Sequence, residues 1–205
     1  MEYLKKFSAK KIVSALIGVF LIGVGIAFNN CAGLGNDPVG IVYDGIRVFW
    51  GMTGEQLGMA SNVVNLTLVI VLFLIGRKYV SLGTLIYFLP YGFCVNCGTA
   101  IYKTLNVPQT LPMQILFSAL GCLLLCMGIA LFIVVDMGVD PFTGIVLVLC
   151  DKTGKEYRIV KVLFDLACVI VGTLLGGKLG VVTVVTAIVV GPAIQLFAGI
   201  IRKYW

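Results

Sequence analysis

Four ionisable side chains stand where a strongly apolar sequence gives little reason for them: Asp37, Asp140, Lys161 and Asp165. The first two each precede a proline, in Gly33-Leu34-Gly35-Asn36-Asp37-Pro38 and in Met137-Gly138-Val139-Asp140-Pro141. Proline suits the first position of a helix because its missing N–H is one the helix leaves unpaired anyway. The aspartate before it can accept from the free N–H groups and meets the positive end of the helix dipole. Each acid therefore reads as a helix cap, and serine or asparagine would cap as well without a charge. Placing a charge near the middle of a bilayer costs roughly 2.5–3.5 kcal/mol even on a lenient insertion scale. That both copies keep the acid points beyond capping, to a solute or a coupling cation. Lys161 and Asp165 are four residues apart and share a helix face. One reading is an intrahelical pair with Lys161 snorkelling to the surface; the other makes Asp165 a protonation or cation site. Asn62, Asn65, Asn96 and Gln195 are the carboxamides expected to join these charges around a cavity at mid-membrane.

The elements that would position these groups follow from composition. The 205 residues are 60% hydrophobic and 12% charged, with a mean hydropathy of +1.09. So few charges cannot cover a soluble domain of this size, and several runs reach the roughly 20 apolar residues that span a bilayer. The expected fold is an all-α, polytopic membrane protein, one domain over 1–205, with six spans at about 12–29, 57–75, 82–102, 113–135, 159–175 and 179–201. Pro90 and Pro192 fall inside the third and sixth spans, where kinks are expected. The first apolar run lacks a small-residue cleavage site and reads as a permanent span rather than a signal peptide. The net charge of +6 comes from basic residues at helix ends, the pattern of topology determinants rather than of a nucleic-acid surface. Seven cysteines and no histidine, scattered along apolar spans, give no zinc or haem site, and no cofactor is expected. The odd count leaves at least one thiol free or paired with another chain. Cys94-Val95-Asn96-Cys97 has redox spacing but lies inside an apolar span, and with Cys122 and Cys126 it reads as packing. Trp50, Tyr102 and Trp205 are expected as interfacial anchors.

The chain is an internal duplication, with repeat one at about 12–104 and repeat two at about 113–203. At an offset of 103, Gly18, Gly25, Gly35, Asp37 and Pro38 meet Gly121, Gly128, Gly138, Asp140 and Pro141. At an offset of 100, Thr53, Gly54, Gly76 and Lys78 meet Thr153, Gly154, Gly176 and Lys178. Both halves also suggest a capping box, Thr53 with Gln56 and Thr153 with Glu156. Between the first two spans of each half stands a short helix, about 39–50 and 141–150. The second is almost wholly apolar, whereas the first carries Tyr43, Asp44 and Arg47 on one side and could lie along the interface. Pseudo-symmetry favours a re-entrant path for both. With three spans per half and the N-terminus in the cytoplasm, Lys5, Lys6, Lys10, Lys11, Arg77, Lys78, Lys152, Lys155, Arg158, Lys161, Arg202 and Lys203 fall inside. Only Arg47, Lys103 and Lys178 fall outside, a clear positive-inside asymmetry. An odd number of spans inverts the second half relative to the first, an architecture common among secondary transporters.

Gly25-Ile26-Ala27, Ala32-Gly33-Leu34-Gly35 with Pro38, and Thr53-Gly54 resemble the YczE/YyaS/YitT family of bacterial integral membrane proteins. So do Thr153-Gly154, Lys161 with Asp165, Gly176-Gly177, and Gly191-Pro192 with Gln195-Leu196-Phe197 in the second half. Members often carry Arg and Glu where this chain has Lys161 and Asp165, and Trp-Asp where it has Val39-Gly40. The resemblance implies a multi-pass protein of the bacterial inner membrane, with both termini cytoplasmic by the charge count. The function these observations favour is a small secondary transporter or permease for a small solute, with proton or cation coupling as an option. The alternatives are a non-transporting membrane regulator or scaffold, and the substrate-binding subunit of a larger transport complex. No nucleotide loop or catalytic triad is present, so no enzyme is expected. The partners expected are the lipid bilayer and the solute. A chain this small has little room for a sealed pathway, which makes a homodimer an option.

Overall fold

The computed structural model describes residues 8–205, and Lys5 and Lys6 of the charge count lie outside them. Among the described residues there are eight α-helices and no strand: α1 (Ala9–Ala32), α2 (Pro38–Phe49), α3 (Leu57–Ile75), α4 (Leu82–Thr104), α5 (Leu111–Val135), α6 (Pro141–Thr153), α7 (Tyr157–Leu174) and α8 (Val181–Tyr204). Five are long and apolar enough to cross a membrane: α1, α3 with the 3-10 turn that leads into it, α4, α5 and α8. The 18 residues of α7 include Arg158, Lys161 and Asp165, which set it apart from those five. At 12 and 13 residues, α2 and α6 are too short to span at 1.5 Å per residue. The chain is a multi-pass helical membrane protein. Leu74, Phe93, Leu174, Val181 and Ile188 are among the large apolar side chains it leaves exposed, as a lipid-facing surface requires.

The centre is a glycine seam between α1 and α5. A Cβ on Gly25 would stand 2.6 Å from the Gly121 carbonyl oxygen, and one on Gly128 would stand 2.6 Å from that of Gly18. Only glycine lets the two backbones approach so closely. The early glycine of α1 meets the late glycine of α5 and the reverse, so the two helices run antiparallel. On its other side α1 packs against α4, with Gly23 against Cys94 and Val95 and Gly98 against Val24 and Ala27, so these two run parallel. The pair Cys94 and Cys97 is free, like the other cysteines, and Cys94 serves this contact.

Around the seam the short helices are wedged into the opposite half. Ile41 and Gly45 of α2 meet Gly172 of α7, and Gly144 of α6 meets Leu72 of α3. The loop after α1 lies over the start of α8, where the Val182 N–H donates to the Leu34 carbonyl at 3.1 Å. The loop after α5 lies over the start of α4, where the Thr84 hydroxyl donates to the Val139 carbonyl at 2.9 Å. Tyr43, Tyr87, Tyr91, Phe132 and Phe142 fill the space between α2, α4, α5 and α6, with Tyr87 and Tyr91 stacked at 5.1 Å. At one end of the bundle the Lys10 ammonium stands 4.3 Å over the Trp205 ring, so α1 begins where α8 ends.

Three local expectations are corrected. The box at Thr153 does not form, because α6 runs on through Asp151 and Lys152 until Gly154 turns it at φ 65°; the Thr153 hydroxyl bonds back to Leu149. The box at Thr53 and Gln56 is present. Tyr102 is buried against Phe28 and Phe117 instead of facing the interface. The first short helix does not lie along the surface either, for Tyr43 and Asp44 are buried in the protein.

Candidate functional site

Both acid–proline corners form the caps their sequences suggest. The Asp37 carboxylate accepts from the Gly40 N–H at 3.2 Å and the Val39 N–H at 3.3 Å, and that of Asp140 from the Thr143 N–H at 3.0 Å. Asp37 is held from behind by Asn36, whose side chain accepts from the Asp37 N–H and donates to the Ile26 carbonyl. Lys161 and Asp165 form an intrahelical ion pair. These four groups share one region. Lys161 and Asp165 are the charges that act on Asp37, Asp140 acts on Lys161, and Tyr87 feels both Asp140 and Asp37. Both corners therefore lie within electrostatic reach of Tyr87, and the α7 pair within reach of Asp37.

The carboxamides divide. Asn65 joins the centre: its oxygen accepts from the Tyr43 hydroxyl at 3.2 Å, while its NH₂ is buried without a partner, as is the Tyr91 hydroxyl. Asn62 and Asn96 instead clamp α3 to α4. Asn96 accepts from the Gly58 N–H at 3.0 Å and Asn62 from the Gly92 N–H at 2.9 Å. Gly58 lies in the first turn of α3, so Asn96 satisfies a helix-end donor from the neighbouring helix. A signal for this was present in Gly58-Met-Ala-Ser-Asn62 and Gly92-Phe-Cys-Val-Asn96, the same glycine-to-asparagine step on two antiparallel helices. Gln195 is away from the cluster, exposed on α8.

Spacing did not reveal a second polar group, at the end of the bundle where α1 stops. Asp44 is buried; one of its oxygens accepts from Arg47 Nε at 2.9 Å and the other from the Lys178 backbone N–H at 2.9 Å. Arg47 also reaches the Met52 carbonyl at 3.1 Å. Together these bonds tie α2 to the turn that follows it and to the turn that follows α7. Beside them opens a cavity of about 430 Å³ whose walls include Asn30, Arg47, Gln109, Gln114 and Lys178. It shares Asn30, Gly33, Asp44 and Lys178 with a water-sized space of about 10 Å³ that reaches Asn29 and Asn36. Asn36 is bonded to Asp37, so this space ends one residue short of the first acid corner.

The sequence matches a family of unknown function, DUF6198, over residues 9–199. The chain belongs to that family. A relative from Haemophilus influenzae, an uncharacterised protein, is 26% identical over 194 residues, covering 95% of this chain and 86% of its own. YyaS of Bacillus subtilis, also uncharacterised, is 20% identical over 189 residues and 92% of each chain. The resemblance to YyaS-type proteins thus holds over nearly the whole chain. No solved structure matches it.

Proposed function

We propose that this DUF6198 protein is a small secondary permease built from two inverted halves, moving a small solute across the bacterial inner membrane. The observation that carries this reading is that Asp37 and Asp140, each capping a short helix, lie within electrostatic reach of the same tyrosine, Tyr87, with Lys161 and Asp165 within reach of Asp37. Inversion is supported by how the contacts exchange under the repeat. Gly18 against Gly128 becomes Gly121 against Gly25, and Ile41 against Gly172 becomes Gly144 against Leu72. A two-fold axis in the membrane plane, through the α1–α5 seam, relates such pairs. Six passes follow if α7 spans, with α2 and α6 entering from opposite sides and returning. Helix starts that meet near the midplane from two sides are how inverted-repeat transporters hold a substrate between their halves. Three acids against one lysine at the centre favour a cationic or zwitterionic solute, or proton coupling. On this reading no catalytic chemistry is performed. The exposed carboxamide of Gln195 on a lipid-facing helix lacks a partner in hydrocarbon, which favours a second copy of the chain against α8.

The test is uptake by the purified protein alone in liposomes, against a panel of labelled cationic and zwitterionic solutes, with and without an imposed proton gradient. Uptake by the wild type that is lost in Asp37→Asn supports the reading. A folded protein that moves none of the panel under either condition, or an Asp37→Asn/Asp140→Asn double variant that transports normally, refutes it.

A further inference from the structure

We infer that the cavity beside Asp44 and Lys178 is a binding site for a small oxyanion, a carboxylate or phosphate group, whether or not the protein carries it further. The hydrogen-bonding inventory of its walls gives the sign. Both oxygens of Asp44 are occupied, by Arg47 and by the Lys178 backbone, and the Arg47 charge is neutralised by Asp44 at 2.8 Å. Several donors remain. The Lys178 ammonium is exposed on the wall and in no ion pair among the described residues, and in the adjoining water-sized space the Asn29 NH₂ is fully buried with no partner. A buried donor left unsatisfied is costly, and the space at Asn29 has room for a water. The larger cavity, whose one carboxylate is already saturated and whose wall offers an unpaired ammonium, is completed by an occupant that brings acceptors and negative charge.

The duplication makes the point independently. Features the fold needs are kept in both halves, such as Pro38 with Pro141 and Gly35 with Gly138. The polar residues of this cavity are not. Asn29, Asn36, Asp44 and Arg47 have Phe132, Val139, Leu147 and Cys150 as their counterparts. Lys178 does have a matching lysine, Lys78, and that one is paired with Asp151 at 2.6 Å. The counterpart of Asp151 is Val48, which lines the cavity. The half that needs no site supplies its lysine with a carboxylate from the chain; the other half leaves that place apolar and the lysine open.

The experiment is thermal unfolding of the purified full-length protein in non-ionic detergent, with sodium acetate or sodium phosphate against sodium chloride at equal ionic strength. A ligand that binds only the folded state raises the melting temperature. Acetate or phosphate is expected to raise it where chloride does not. In Lys178→Gln the half-maximal concentration should rise about tenfold or more, as loss of one charge-assisted hydrogen bond implies, while Lys78→Gln should respond as the wild type does. Val48→Asp, which restores the carboxylate found in the other half, should abolish the response without lowering the melting temperature in chloride. Equal curves in all three salts, or an unchanged response in Lys178→Gln or in Val48→Asp, would overturn the inference. Repeating the acetate titration in phosphatidylcholine nanodiscs with and without phosphatidylglycerol separates two sources of the group. Competition identifies a lipid headgroup, and an undiminished response identifies a free solute.

Discussion

Substituting Gly25 by alanine tests the glycine seam with the smallest possible change. The added carbon would stand 2.6 Å from the Gly121 carbonyl oxygen and 2.8 Å from the Leu125 backbone nitrogen. Both obstacles are backbone, so no rotamer change relieves them and α1 must move away from α5. Overpacking of this kind costs about 1–3 kcal/mol. Alanine in place of a helical glycine returns about 0.5–1 kcal/mol, leaving a net loss of up to about 2.5 kcal/mol. Gly199 in α8 supplies the control, since a Cβ there meets nothing within 4 Å. Gly199→Ala keeps the helical gain without the clash and should stabilise by about 0.5–1 kcal/mol. The same one-carbon change is thus expected to have opposite signs at two glycines. Dodecyl sulfate titration of the purified protein in mixed micelles, followed by circular dichroism, would measure both. Gly121→Ala should resemble Gly25→Ala, because its Cβ would stand 2.8 Å from the Gly25 carbonyl oxygen in turn. If Gly25→Ala and Gly199→Ala are equally stable, α1 and α5 are not in backbone contact and the packing of the seam is wrong.

Other consequences can be measured as directly. Asp37→Asn and Asp140→Asn should leave folding stability within about 1 kcal/mol, since asparagine caps as well as aspartate, while abolishing uptake; loss of folding would make the acids structural alone. Asn62→Ala should lower stability by roughly 0.5–1.5 kcal/mol, because the hydrogen bond that ties α3 to α4 at Gly92 is lost, and the same titration would show it. In a cysteine-free background, Phe49→Cys and Lys152→Cys should react with an impermeant thiol reagent from opposite sides of the membrane; labelling from one side would end the inverted arrangement. Hydrogen bonding from Lys78 holds the Asp151 carboxyl below its ordinary range. A carboxyl lowered by folding adds stability above its unfolded value and loses it as pH falls through the lowered one. Acid titration should therefore show a destabilising step below the usual aspartate range that Lys78→Met removes.

How much of this was legible in the sequence depended on how local the cause was. The caps at Asp37 and Asp140 were readable because an acid followed by proline acts on its own helix within three residues. The ion pair of Lys161 with Asp165 was readable for the same reason. Where α1 ends was less so: hydrophobicity fades near Asn29, but the helix continues to Gly33, which leaves it at φ 76°. Helix six ran past its expected end because Asp151 and Lys152 look like a loop until the turn at Gly154 is known. The roles of Asn62 and Asn96 turned on helix rotation, and their depth in the membrane says nothing of which neighbour they face. Asp44 was the hardest case. Its spacing from Arg47 suggests a surface pair, and the group that holds it inside is a backbone N–H 134 residues away.

The meeting of Lys10 with Trp205 brings the start of the first helix beside the finish of the last. Chains whose ends adjoin tolerate being joined there and cut elsewhere. The connector between α4 and α5, around 105–110, offers the cut, at the far end of the bundle. A permuted gene beginning at α5 would make the second half first and put both new termini on the other face. Every helix would keep its neighbours. Should such a protein insert and fold, the order in which the halves leave the ribosome would prove immaterial to the architecture, as an origin from two separately made subunits would require.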